Sequence, residues 1–145
     1  MYPVPVVKVV EALGGPEALG GTVTDLAGLI AAVARGLPRS VVREIAASAA
    51  PARGTVRSRV AALVASPATL KRSDRLSPDA SARAERLARI VALAQRALGG
   101  TDEARAWLTE PHPMMGAMPI EIAATDLGAR QVEQVLHNIE YSLPA

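Results

Sequence analysis

The residues of this 145-residue chain best suited to chemistry or recognition are few: two His, four Met, one Trp and two Tyr, with no Cys and no Phe. His112 and His137 stand 25 positions apart, and no third ligand lies at metal-binding spacing, so no metal site is expected. The absence of Cys removes thiol catalysis, disulfide scaffolds and Cys-based zinc sites. No nucleophile–base pair, glycine-rich phosphate loop or isolated carboxylate dyad can be picked out. Glu121 and Asp126 flank a helix start and read as capping or solvated acids. The expectation is a protein with no catalytic residue and no cofactor, which works by binding.

The rare residues are concentrated. The stretch AWLTEPHPMMGAMP, residues 106–119, holds the only Trp, one of the two His and three of the four Met, together with three prolines. Trp107 has two readings. Trp is enriched at interface centres, but its helical phase beside Leu108, in a chain without Phe, favours a core anchor. Met114, Met115 and Met118 are adaptable apolar fillers that suit a core gap or a partner's groove. Pro111, Gly116 and Pro119 read as turn-forming residues that redirect the chain.

The elements that must position these residues are helices, because no sustained period-two alternation occurs and Ala and Leu dominate. Val6, Val7, Val10 and Leu13 predict a short helix stopped at Gly14-Gly15. Thr24 precedes a second, with Leu26, Leu29, Ile30 and Val33 on one face and Gly36 at its end. Val41, Val42 and Ile45 mark a third after Pro38, and Val56, Val60, Leu63 and Val64 a fourth. Ser66-Pro67 and Ser77-Pro78 are start signals, Ser as a cap and Pro at the first helical position. The helix after Ser77 is long, with Ala84, Leu87, Ala88, Val91, Ala94 and Leu98 in phase up to Gly99-Gly100. Thr101-Asp102-Glu103 opens the helix that carries Trp107 and is stopped by Pro111. Thr125-Asp126 opens the last, with Val132, Val135, Leu136 and Ile139 in phase. The fold class is all-α, and the length suits one domain or two small ones sharing a core.

Charge is divided unevenly. Residues 1–76 hold ten Lys/Arg against five acids, net +5, and residues 77–145 hold six Arg against nine acids, net −3. A basic half and an acidic half suggest different partners, a polyanion for the first; solvated Arg-rich helices are the alternative. Within the basic half, the short helix 56–64, the tight Ala65-Ser66 connection and a second short helix form a helix-turn-helix pattern. Ser66, Thr69, Lys71, Arg72 and Arg75 would then face DNA, with Ser66 and Thr69 at the N-terminal end of the reading helix. A basic surface corner would look the same at this level. The first residues make a poor signal peptide and no window is apolar enough to span a bilayer, so a cytoplasmic protein without membrane contact is expected.

The order GLPRSVVREIA, ASPATLKR, LSPDASARAERLARIVALAQRALGG and EARAWLTEPHPMMGAMPIEIAATDLGARQVEQVLHNIEY resembles the Xre/ParS-type antitoxins of type II toxin–antitoxin modules, which partner RES-domain toxins. The resemblance runs from about Leu26 to the C-terminus. Its most specific part is the spaced set Trp107-Leu108, Pro111, Gly116, Pro119, Thr125, Gly128, Val132 and Leu136. In the basic half the match is looser: Ala65 stands where the family often has Gly, and Ser73 follows Lys71-Arg72. The resemblance implies an Xre-like helix-turn-helix DNA-binding region over 1–76 and a toxin-binding domain over 77–145. It further implies a homodimer within a larger toxin–antitoxin complex and binding of operator DNA. It also implies neutralisation of a cognate NAD-consuming RES toxin by a C-terminal segment that plugs the active site. Asn138, Glu140, Tyr141, Ser142 and Leu143 would form that plug, with Met114 and Met115 on the toxin side. The competing readings are a stand-alone Xre-class repressor whose C-terminal half only dimerises, and a structural adaptor that binds neither DNA nor toxin.

Overall fold

The computed structural model describes residues 1–141. Among these the chain forms α-helices joined by short turns: α1 (Val6–Ala12), α2 (Gly15–Leu19), α3 (Leu26–Arg35), α4 (Ser40–Ala49), α5 (Val56–Val64), α6 (Pro67–Arg72), α7 (Pro78–Leu98), α8 (Thr101–Leu108), α9 (Pro119–Ile122) and α10 (Asp126–Tyr141). The protein is all-α. Its only extended pairing among the described residues is an isolated antiparallel bridge between Pro38 and Arg75.

The start signals in the sequence act as expected where their geometry is local. Ser66 Oγ accepts from the Thr69 amide, and Ser77 Oγ from the Ala80 amide, each with Pro opening the helix behind it. Two details differ from the sequence reading. The cap of α3 is Asp25 rather than Thr24, its Oδ1 accepting from Gly28 N at 2.8 Å. The Gly14-Gly15 pair does not simply stop α1: Gly15 and Pro16 open the extra turn α2.

α7 is the axis of the molecule, in contact with α1, α3, α4, α5, α8 and α10. Ala80, Ala84, Ala88, Ala92 and Ala94 are buried along it with Leu87, Ile90, Val91 and Leu93. Small side chains on a central helix let its neighbours approach closely, toward the short end of the roughly 8–10 Å range of helix spacings. This suits a chain that has no Phe to fill wider gaps. One continuous core runs from Val4 to Leu136, across the change from basic to acidic sequence near residue 76. Its largest members include Leu13, Leu37, Ile45, Leu108 and Ile120, and each such side chain stabilises the fold by about 1.5–3 kcal/mol relative to exposure. Periodicity overstated the burial of some positions. Leu26 and Ile30 on α3 and Ile139 on α10 are exposed.

Arginines fasten the helices to one another. The last carbonyls of a helix have no partner within it and carry partial negative charge. Arg57 donates to the Ala50 and Ala47 carbonyls at the end of α4, where Arg105 of α8 also reaches Ala47. Arg83 of α7 donates to Val64 at the end of α5, and Arg86 to Ala124 just beyond α9.

Candidate functional site

The segment 106–119 is built as a closed turn. His112 is its centre: its amide donates to the Ala117 carbonyl, and its own carbonyl accepts from Met115 N and Gly116 N. Its ring Nδ1 accepts from Met114 N at 3.1 Å, and the ring meets Trp107 edge-on with centroids 5.9 Å apart. Gly116 closes the turn at φ +75°, a conformation that disfavours any side chain. Trp107 is half-buried against the core, as its phase suggested, and Leu108 is fully buried. Met118 is buried and Met115 half-buried, whereas Met114 is 85% exposed. Of the two methionines expected on a partner face, Met114 is the more exposed.

After the turn, Pro119 opens α9 and Thr125 caps α10, its Oγ1 accepting from Gly128 N at 3.0 Å. Gly128 is required by contact: a Cβ there would overlap the backbone carbonyl of Ile122. Pro119 and Gly128 thus stand at the turns that lead the chain into α10, with the Gly116 turn ahead of them.

α10 buries Ala129, Val132 and Leu136 and turns the opposite face outward. That outer face carries Leu127, Gln131, Gln134, Asn138 and Tyr141, all exposed. Tyr141 lies against the His137 ring at 4.8 Å, and Asn138 Oδ1 accepts from Gln134 one turn earlier. Glu140 sits elsewhere. Four residues beyond Leu136, it falls on the inner edge of the helix, with its side chain 18% exposed and 2.9 Å from Arg96 Nε of α7. Ser142 and Leu143, two of the expected plug residues, lie outside the described residues.

A second polar group beside α10 was not legible in the sequence. Tyr2, ahead of α1, donates to Glu85 Oε2 at 2.6 Å, and Arg89 lies 3.4 Å from both Glu85 and Glu133. Burial pushes the Tyr2 phenol well above its ordinary value, aided by the hydrogen bond to Glu85 and that residue's charge and opposed by Arg89. The group ties the N-terminal residues, α7 and α10 together. Its Tyr2–Glu85 hydrogen bond alone joins positions 83 residues apart, and no local pattern announces the group.

In the basic half, the five residues expected at DNA have distinct surroundings. Ser66 and Thr69 bond each other, and Thr69 Oγ1 also accepts from Arg72 at 3.1 Å. Lys71 and Arg72 are exposed on the last turn of α6. Arg75 is also exposed, but its Nη1 donates to the Gly36 carbonyl at 2.7 Å. α6 is six residues, or about 9 Å of helix. Beside it, a groove of about 550 Å³ runs between α4, α5 and α6, lined by Arg39, Arg43, Arg57, Ser40, Ser58 and Leu70. These arginines are spread along the sequence and converge only because α4 packs on α5.

The architecture is therefore an all-helical one, in which a basic helical half and a rigidly seated C-terminal helix share a single core. Residues 93–141, from the end of α7 through α10, match the family model of the antitoxin Xre/MbcA/ParS C-terminal toxin-binding domain. The match covers about a third of the chain, and it is this stretch that is similar to an antitoxin's toxin-binding domain. No curated protein matches the chain. Among the described residues, no helix is long and apolar enough to cross a membrane.

Proposed function

We propose that this chain is the antitoxin of a type II toxin–antitoxin module, which neutralises a cognate RES-domain, NAD-consuming toxin with its C-terminal segment from Asn138 onward. The observation that carries this reading is the family match over residues 93–141, which coincides with the turn and helix just described. A firmly seated α10 supports it, since a preorganised element loses less freedom on binding. The exposed row Leu127, Gln131, Gln134, Asn138 and Tyr141 then meets the toxin, and Met114 supplies an apolar contact beside it. Residues 1–76 form the operator-binding region and residues 77–145 the toxin-binding region of a homodimer. Lys71 and Arg72 are the phosphate or base contacts, with Arg43 of the adjacent groove as a further candidate.

Co-expression with the adjacent reading frame tests the central reading. The neighbour alone should arrest growth and deplete NAD, and this chain should restore both. A harmless neighbour, or toxicity that persists, rejects it. Ending the chain after Ile139 should abolish neutralisation and keep operator binding; a stand-alone repressor would lose nothing. In a mobility shift on the chain's own promoter, Lys71→Ala with Arg72→Ala should flatten the log–log salt dependence by roughly one unit per lost phosphate contact. An unchanged slope removes both residues from the DNA face.

A further inference from the structure

The guanidinium of Arg96 is shared between two elements that are far apart in sequence. Its Nε lies 2.9 Å from Glu140 in the last turn of α10, and its Nη2 donates to the Pro3 carbonyl at 3.2 Å. Pro3 belongs to the segment ahead of α1, whose neighbouring residue Tyr2 is held on Glu85, while Val4 is buried in the core. The same segment therefore grips α7 at two places and meets α10 through Arg96. A groove of about 490 Å³ runs along this seam, with Pro3 on one wall and His137, Glu140 and Tyr141 on the other.

We propose that Arg96 is a positioning residue for toxin binding: by clasping Glu140 and the Pro3 carbonyl together, it makes the segment ahead of α1 a structural part of the toxin-binding surface. This rests on the antitoxin reading and changes the role of one residue within it. Glu140 is the internal anchor of α10 and not a group offered to the toxin. The physical need is clear from the ends of α10. Its N-terminal part is fixed by the Thr125 cap, the Gly128 contact and three buried side chains, but after Leu136 no further side chain of the described helix is buried. A helix end without tertiary contacts frays. The Arg96–Glu140 pair is the contact that extends tertiary packing to the last described turn of α10. An Arg can do this because its planar fork satisfies two acceptors in different directions.

Hydrogen exchange on the free, full-length protein tests the clasp without a toxin. Arg96→Ala should speed exchange both at amides 137–141 and at the start of α1, whereas Glu140→Gln should loosen only the end of α10. Arg96→Lys keeps one cation and should retain most of the α10 protection. Lys8→Ala, which removes a cation near Arg96 but not the clasp, should change neither. Toxin affinity should fall roughly tenfold in Arg96→Ala and in Glu140→Gln, the cost of ordering about one more residue on binding. The double variant should be no weaker than Arg96→Ala, since both lose one interaction. Arg96→Lys should recover most of the affinity, and all the variants should stay folded by far-UV circular dichroism. Unchanged exchange at 137–141 in Arg96→Ala overturns the clasp. Altered exchange with unchanged toxin affinity overturns its functional role. If the wild-type chain binds no toxin at all, the antitoxin reading fails and the exchange result still decides the clasp.

Discussion

Replacing Gly128 by alanine should destabilise the protein although it puts a better helix former into a helix. Two effects oppose each other. Ala in place of Gly inside a helix gains about 1 kcal/mol from propensity. Here, however, the added Cβ would overlap the Ile122 carbonyl, a backbone atom that cannot rotate away. Inserting an atom into packed structure costs about 1–3 kcal/mol, occasionally more. The shift needed to relieve it also pulls Gly128 N from the Thr125 hydroxyl, a cap worth about 1 kcal/mol. The steric and capping losses together outweigh the propensity gain, leaving a net loss of about 1–3 kcal/mol. At about 3 °C per kcal/mol for a domain of this size, the melting temperature should drop by roughly 3–9 °C. Thermal melts followed by far-UV circular dichroism measure this directly. Gly28→Ala is the control: it also lies inside a helix next to its capping oxygen, but its Cβ would stand 3.1 Å from Asp25 Oδ1, a tight side-chain contact rather than a backbone overlap. Its effect should stay within about 1 kcal/mol. A Gly128→Ala protein that melts at or above the wild-type temperature refutes the close-approach argument for this glycine.

Three further outcomes are expected. Tyr2→Phe should cost about 1.5 kcal/mol or more at neutral pH through the lost bond to the Glu85 carboxylate. Because the folded-state phenol value is raised, Tyr2's contribution is complete below about pH 10 and is lost as pH rises toward the raised value. Urea midpoints should therefore fall more steeply above about pH 10 in the wild type than in the Phe variant, and parallel curves would contradict the burial of this phenol. Leu136→Ala, at a site 1% exposed, should lower stability by about 2–5 kcal/mol in urea unfolding, and a loss below about 1 kcal/mol would mean α10 is not seated as described. Asp25→Ala should cost about 1 kcal/mol while Thr24→Ala stays near neutral, and the reverse order would return the cap of α3 to Thr24.

Those last two residues illustrate what sequence can and cannot carry. The helix α3 was evident from its apolar spacing, but which of two adjacent polar residues caps it depends on a backbone angle that the spacing does not contain. Ser66, Ser77 and Gly99 were legible because Pro or Gly beside them leaves one geometry. The turn around His112 was visible as a cluster of unusual residues with Pro and Gly at its corners, whereas the close contact of Gly128 with the Ile122 carbonyl needs the folded structure to be seen. The position of Glu140 could have been read from helical phase, since it follows Leu136 by one turn and must share its side. Its partner could not, because Arg96 is 44 residues away and looks like any other arginine on α7. The Tyr2–Glu85–Arg89–Glu133 group and the groove between α4 and α5 were hidden for the same reason. They consist of common residue types brought together by packing.

The arginines that close helix ends carry a consequence for how such a sequence can drift. Lysine and arginine are interchangeable where only a positive charge in water is needed, as at the exposed positions 35, 43 and 53. At 57, 83, 86 and 105 the guanidinium reaches the terminal carbonyls of another helix from a partly buried position. A compact ammonium on a flexible stem lacks the planar fork that makes this geometry. Among descendants of one ancestor, the first group of sites should therefore alternate freely between the two basic residues while the second stays arginine. An inventory of total charge would record no difference between the two groups, although one is available to a polyanion and the other is committed to holding the molecule closed.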